Sequence, residues 1–266
     1  MLSSLSPPRR RLVLGLALLA LGLVVATALA VAGRGPDRPP VAQEQPGPVL
    51  LVPGYGGSPT ALEELAGRLR SAGRTATVLT LPADGRVDLR EAARVLAAAA
   101  DAALAAGAPS VDVVGFSAGG VTARFWAAEL DGAEVARRVV TLCSPHHGTE
   151  LAGFATALGP GSCPEACRQL APGSDLLDGL NSGDETPDGP VWTTVWTEQD
   201  EVVTPPDSAR LDGGTPVVLQ QVCPGTSVAH GDLPRSPLVQ AVVLEALGTA
   251  PAPSAYGPRD CARLSS

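Results

Sequence analysis

The stretch Val111-Asp112-Val113-Val114-Gly115-Phe116-Ser117-Ala118-Gly119 decides the fold. Its apolar start predicts a short buried strand, and a helix is predicted from about Ala118 to Leu130. The Gly-x-Ser-x-Gly pattern therefore falls on a strand-to-helix turn, where the central residue adopts strained backbone angles and flanking glycines avoid Cβ clashes. This context predicts that Ser117 is a nucleophile held above the sheet. A plain glycine-rich turn is the alternative.

Apolar runs alternate with helix signals along the rest of the chain. Strands are predicted at residues 49–52, 75–81, 111–114, 139–143, 191–197 and 217–222. The alternation indicates an α/β fold: a six-stranded, mostly parallel sheet with helices on both faces. Residues 149–190 carry seven glycines and no strong strand signal, so they predict a loop-and-helix excursion above the sheet edge, either a lid or an acyl-pocket wall.

Acid and base partners for Ser117 follow later strands. Reactive groups of parallel sheets gather at the carboxyl ends of strands, and the order serine, acid, histidine suits this topology. Asp200, after the fifth strand, is the predicted acid, and Glu198 is the alternative. His230, after the sixth strand, is the predicted base, whose tautomer Asp200 would fix.

The remaining polar residues near strand ends receive other interpretations. His146 and His147 follow the fourth strand and are interpreted as loop-packing residues. A metal site is the alternative for them, but no third ligand is evident nearby. Surface or turn roles are expected for Asp207, Asp212 and Asp232. The glycine-rich loop after the first strand favours the backbone N–H of Tyr55 as an oxyanion donor, together with that of Ala118 at a helix start.

The composition excludes several classes of protein. The chain has 266 residues, a formal charge of −8 and 17% charged residues, which excludes a solvated disordered chain. The acid excess argues against a nucleic-acid partner. All 19 basic residues are arginine, which excludes a catalytic lysine. We expect a folded domain that is a monomer.

The first 32 residues predict an export signal. Three arginines precede an uncharged run of 21 residues, 12–32, which is long enough to cross a bilayer as a helix. Ala28-Leu29-Ala30 offers a cleavage site, so a signal peptide is preferred over an uncleaved membrane anchor. Residues 33–48 predict a linker. The domain at 49–266 is therefore expected to be secreted or extracytoplasmic, with membrane attachment only through residues 12–32.

Cysteines usually pair outside the cytoplasm. We expect one local disulfide between Cys163 and Cys167. A second, between Cys223 and Cys261, would tie the tail to the last strand. Cys143, at the end of an apolar run, is expected to be a buried free thiol. A zinc site is the alternative for the first pair, but the chain has no second pair at metal spacing.

Five segments together resemble lipase class 2, small secreted bacterial triacylglycerol lipases of the α/β-hydrolase superfamily. They are residues 49–57, 113–120, 143–149, 197–203 and 228–234, within a span from about 49 to 247. The family usually has His-Gly where this chain has Pro53-Gly54. The donor position survives that change, but any hydrogen bond from the histidine is lost.

The resemblance implies a minimal α/β-hydrolase domain over residues 49–266. It also implies hydrolysis of an ester or lipid through an acyl-enzyme on Ser117, His230 and Asp200, with contact to a lipid interface. No metal and no organic cofactor are expected. Two other functions stay open: an acyltransferase that passes acyl groups to a cell-envelope alcohol, and a non-catalytic binding protein that kept the fold.

Overall fold

The computed structural model describes residues 41–57, 59–159, 161–251 and 253–265, together with Leu16. Apart from Leu16, the expected export signal lies outside the described residues, and so do residues 33–40 of the expected linker. None of the helices in the described ranges has the length and apolarity needed to span a membrane. Residues 41–48 bond to the domain that follows: Gln43 Nε2 donates to the Arg137 carbonyl, and Arg74 donates to the Gly47 carbonyl.

Six strands form one sheet in the order β2-β1-β3-β4-β5-β6. They are β1 (Val49–Val52), β2 (Ala76–Val78), β3 (Val111–Phe116), β4 (Ala136–Leu142), β5 (Val191–Trp196) and β6 (Thr215–Val218). Every neighbouring pair is parallel, so all carboxyl ends lie along the same edge. This architecture confirms the predicted α/β class with a parallel sheet.

Helices connect the strands and fill the long segment between β4 and β5. In the described residues they are α1 (Thr60–Ser71), α2 (Leu89–Ala105), α3 (Ala118–Glu129), α4 (Glu150–Ala157), α5 (Glu165–Gln169), α6 (Asp175–Asn181), α7 (Leu219–Val222), α8 (Pro237–Ala246) and α9 (Cys261–Leu264). Asp88 caps α2 by accepting a hydrogen bond from the Arg90 N–H at 2.8 Å.

Alternation along β1 shows why helices cover both faces of the sheet. Val49 and Leu51 pack with α1 and α8, whereas Leu50 and Val52 pack with α2 and α3. Successive side chains of a strand point to opposite faces, so a strand buried on both sides carries an unbroken apolar run.

Strand boundaries differ most from the sequence prediction in β2, β4 and β6. β2 ends at Val78 because the chain then enters a turn in which Ala83 and Asp84 have positive φ angles of 45° and 53°. β6 starts at Thr215 and gives way to helix α7 at Leu219. β4 starts three residues before the predicted Val139, because its two arginines are buried and bonded rather than solvated.

The excursion at 149–190 contains the helices α4, α5 and α6 with loops between them, in agreement with the predicted loop-and-helix segment. Its buried residues, such as Leu170 and Leu177, pack against Leu89 at the start of α2 and Ala118 at the start of α3. The excursion is thereby fixed beside the turn that carries Ser117.

The cysteine predictions are confirmed. Cys163 pairs with Cys167, and Cys223 pairs with Cys261. Cys143 is free and buried.

Candidate active site

Ser117 lies on a strained turn between β3 and α3. Its backbone angles are φ 53° and ψ −126°, a conformation that few residues other than glycine adopt. A Cβ at residue 115 would stand 2.5 Å from Gly120 Cα, and a Cβ at residue 119 would stand 2.1 Å from the Val52 carbonyl oxygen. Both flanks therefore exclude any residue larger than glycine. The Ser117 N–H donates to the Leu142 carbonyl, which ties the turn to β4.

His230 reaches Ser117 from the loop between α7 and α8. Its Nε2 lies 3.1 Å from Ser117 Oγ, a hydrogen-bonding distance. His230 is 7% exposed, and its ring centroid lies 5.1 Å from that of Phe116. Packing therefore fixes the ring in an orientation that faces the serine hydroxyl.

Asp200 holds the other side of the His230 ring. Its Oδ2 and Oδ1 lie 2.8 Å and 3.1 Å from His230 Nδ1. Oδ1 also accepts the N–H groups of Val202 and Val203, at 2.9 Å and 2.8 Å. Burial alone would raise the pKa of Asp200, but the hydrogen bond and charge of His230 lead a set of contacts that lower it overall. The carboxylate therefore stays ionised at neutral pH.

The alternative acids lie away from this chain of hydrogen bonds. Glu198 is exposed two residues before the buried Asp200. The other carboxylates assigned to the surface are also exposed: Asp207, Asp212 and Asp232.

The loop at 53–57 and the start of α3 meet at Ser117. A Cβ at residue 54 would stand 2.9 Å from Ser117 Cβ, so the loop backbone runs directly against the serine. The Gly56 N–H donates to the Asp84 carbonyl at 2.8 Å, and the Arg86 guanidinium lies 5.7 Å from the Tyr55 ring centroid. These contacts fix the loop beside the first turn of α3, where N–H groups lack helical acceptors. The roles of Tyr55 and Ala118 as oxyanion donors stay predictions.

The two adjacent histidines bond to different partners. His146 is fully buried, and its Nε2 lies 3.1 Å from Thr141 Oγ1. His147 is partly exposed, and its Nε2 lies 2.8 Å from Glu185 Oε1. The His146 ring thus bonds to β4, and the His147 ring bonds to the loop before β5.

Sequence reasoning missed a contact of Cys143. Within the described residues, one group of potential metal ligands comes together: Cys143 Sγ, an Asp200 oxygen and a His230 nitrogen, all within 4.8 Å of one another. Burial, together with the nearby Asp200 charge, raises the pKa of the Cys143 thiol well above its usual value. The group therefore offers a neutral thiol rather than the thiolate that metals bind. The strand order could have indicated this contact: Cys143 follows β4 and Asp200 follows β5, and residues that follow adjacent parallel strands lie close together. The absence of a metal or cofactor stays a prediction.

A largely apolar cavity of about 480 Å³ opens beside Ser117 and His230. Its walls come from the 53–57 loop, from α4 and α5, and from the turn after Asp200. The lining includes Tyr55, Phe116, Leu151, Ala155, Leu170 and Val203. A cavity of this size and character suits an apolar ligand next to Ser117.

No protein-family model and no curated protein sequence matches the chain. Among solved structures, it is similar to Aspergillus fumigatus lipase B, with a TM-score of 0.67 and 23% identity over 82% of this chain and 56% of that one. It is also similar to mature Bacillus licheniformis lipase BlEst2, with a TM-score of 0.64 and 18% identity over 80% of this chain and 96% of that one.

A third similar structure is MGS-MChE2, an alpha/beta hydrolase enzyme from a metagenome of lagoon sediments at Mar Chica, Morocco. Its TM-score is 0.50, with 16% identity over 71% of this chain and 84% of that one. The protein has an α/β-hydrolase fold. In α/β-hydrolases the nucleophile stands on a strand-to-helix turn, and the chain order is serine, acid, histidine. Ser117, Asp200 and His230 follow that order. The resemblance to lipase class 2 rests on the quoted motifs.

Proposed function

We propose that the protein is a serine hydrolase of carboxylic esters, acting on lipid or simpler ester substrates. One observation carries the proposal: an unbroken chain of hydrogen bonds joins Ser117, His230 and the ionised Asp200 beside an apolar cavity. A hydroxyl next to a neutral imidazole that is oriented by a carboxylate is the arrangement that activates serine for acyl transfer.

The reaction then proceeds in two halves. Ser117 Oγ attacks the ester carbonyl carbon while His230 Nε2 takes the hydroxyl proton, and the same proton passes to the departing alcohol as the acyl-enzyme forms. A water molecule, deprotonated by His230, next attacks the acyl carbon and releases the acid with Ser117 restored. Asp200 stabilises the imidazolium in both halves.

The oxyanion that forms in each half is assigned to the backbone N–H groups of Tyr55 and Ala118. The close approach of Gly54 to Ser117 and the helix start at residue 118 support this assignment. Each well-placed donor is worth roughly 3 kcal/mol of transition-state stabilisation. The acyl chain would occupy the cavity between α4 and the turn after Asp200.

Two disulfides support a secreted or extracytoplasmic site of action, because such bonds persist in oxidising compartments. Export through residues 1–32 is part of the same proposal. Outside the cytoplasm, the substrates of the enzyme would be esters and lipids in its surroundings. The proposed enzyme acts as a monomer and needs no cofactor.

The test is the Ser117→Ala variant of the purified protein. We expect it to fold, to lose p-nitrophenyl ester turnover and to escape labelling by a fluorophosphonate probe, while the wild type is labelled at Ser117. Turnover that survives in S117A would overturn the assignment. Wild-type protein that neither labels nor turns over esters would favour the non-catalytic binding protein. Product analysis with a competing alcohol distinguishes hydrolysis from acyl transfer.

A further inference from the structure

Cys143 occupies an unusual position at the end of β4. It is fully buried, and its φ angle of 44° lies in the left-handed region that favours glycine. Its N–H donates to the Val195 carbonyl of β5 at 2.8 Å, which fixes the residue against the neighbouring strand. The other four cysteines form disulfides, so this is the free thiol among five.

The strained backbone directs the Cys143 side chain toward the acid of the candidate active site. Cys143 Sγ lies within 4.8 Å of an Asp200 oxygen and of a His230 nitrogen, so the thiol and the carboxylate face each other inside the protein. Asp200 Oδ1 is held by Val202 and Val203 N–H groups on the Asp200 turn itself. The thiol adds a contact from a different strand.

We propose that Cys143 is a positioning residue whose S–H donates to Asp200 and holds that carboxylate toward His230 Nδ1. The inference rests on the proposed function of Ser117, His230 and Asp200 and extends it to a residue that does not touch substrate. A donor from β4 fixes the acid relative to the sheet, whereas the backbone donors fix it only relative to its own turn.

The charges around the thiol favour a permanent donor. Burial comes first, and the negative charge of Asp200 and that of Glu201 also raise the pKa of Cys143; a backbone hydrogen bond from Thr197 acts in the opposite direction. The titratable groups that face this contact are therefore Asp200, Glu201 and His230. Since the thiol stays protonated at neutral pH, it donates through the whole working range.

Removal of the donor should alter proton binding by the Asp200–His230 pair. A carboxylate that loses a hydrogen bond is less stabilised in its charged form, so the coupled pair takes up a proton at higher pH. The acid limb of the kcat/KM profile reports that uptake in the free enzyme. A side chain that only fills space would lower stability without moving the limb.

The experiment compares Cys143→Ala and Cys143→Gly, which lack the donor, with Cys143→Ser, which keeps one. Glycine accepts the positive φ without strain, so it guards against a failure of the alanine variant to fold. Ser144→Ala is the matched control, because it removes a buried polar side chain next in sequence whose Oγ bonds to the Leu142 carbonyl instead.

We expect the donor-free variants to lose about tenfold in kcat at little change in KM, the cost of a hydrogen bond to a charged group. Their acid limb should move to higher pH by about 0.5 to 1 unit. C143S and S144A should keep the wild-type limb. Two results would overturn the positioning role. One is an unchanged acid limb of the kcat/KM profile in folded C143A and C143G, and the other is a shift of that limb in C143S as large as in those two variants.

Histidine-selective ¹³C NMR titration without substrate supplies a second readout of the same proton uptake, independent of turnover. It also distinguishes the two proposals. Turnover retained by S117A would overturn the proposed function, whereas unchanged titration of the Asp200–His230 pair in C143A or C143G would overturn only the role of Cys143.

Discussion

At the scale of single residues, burial decides which groups carry charge. Asp200 is buried but receives enough hydrogen bonds to remain ionised. His146 is even more fully buried, and its Nδ1 has no hydrogen-bond partner in the described part of the chain. Burial, with the Arg124 charge next in size, lowers the pKa of His146 well below 6.5. A neutral ring is therefore built into the loop behind the candidate site.

This neutral ring makes stability depend on pH. Below pH 6.5 the unfolded chain protonates His146 whereas the native protein does not, so stability falls as pH decreases. The contribution is at most about 1.4 kcal/mol per pH unit from one group. We expect His146→Gln, which keeps a polar group toward Thr141 but does not titrate, to lose less stability than wild type between pH 7 and pH 5.

Urea unfolding at the two pH values measures this difference. The upper limit of the difference is about 2 kcal/mol over the interval from pH 6.5 to pH 5, since one group contributes at most about 1.4 kcal/mol per pH unit. Equal losses of unfolding free energy in H146Q and wild type would contradict the argument.

At the scale of elements, α4 and Leu158, the residue that follows it, present large apolar side chains to solvent. Leu151, Phe154 and Leu158 are 54%, 66% and 62% exposed, whereas the small Ala152 is buried. The pattern reverses that of an ordinary surface helix, which buries its large apolar residues. Because Leu151 also lines the cavity, the apolar surface is continuous with the entrance to the candidate site. An exposed apolar patch beside a site marks contact with another apolar surface.

This surface distinguishes two kinds of substrate under the proposed function. We expect Phe154→Ser with Leu158→Ser to reduce activity on emulsified triacylglycerol by about tenfold, because apolar area buried at a lipid surface is lost. Turnover of a soluble short-chain p-nitrophenyl ester by the same protein should change by less than about twofold and serves as the internal control. Equal loss on both substrates would instead indicate damage to the cavity wall.

At the scale of the whole molecule, the amino ends of the strands are held by a buried arginine cluster. Arg137 and Arg74 both bond to Asp112, at 2.6 Å and 2.5 Å. Arg137 also donates to carbonyls of Gln43 and Leu247, and Arg138 donates to that of Ala246. The cluster therefore connects residues 41–48, the sheet and the end of α8, at the edge opposite to Ser117.

These two edges also show what the sequence could reveal. Ser117, Asp200 and His230 each follow a strand, so topology and chain order were sufficient to nominate them. The start of β4 was missed because Arg137 and Arg138 resemble a solvated turn until the carbonyls that they bond at the end of α8, over 100 residues away, are known. Helices α5 and α6, of 5 and 7 residues, are too short to show helical periodicity.

The separation of the edges predicts a stability defect without a chemical one. Arg137→Ala leaves Asp112 and several carbonyls buried with one cation fewer, and breaking a buried ion pair costs about 3–5 kcal/mol. Arg210→Ala is the matched control: it breaks an ion pair with Asp212 whose side chains are 62% and 79% exposed, which costs at most about 1 kcal/mol. Urea unfolding should order the variants accordingly, while the rate of fluorophosphonate labelling of Ser117 in the folded protein stays at the wild-type value in both. If R137A is fully folded but Ser117 is labelled more slowly than in wild type, the arginine cluster at one edge of the sheet affects the candidate site at the other.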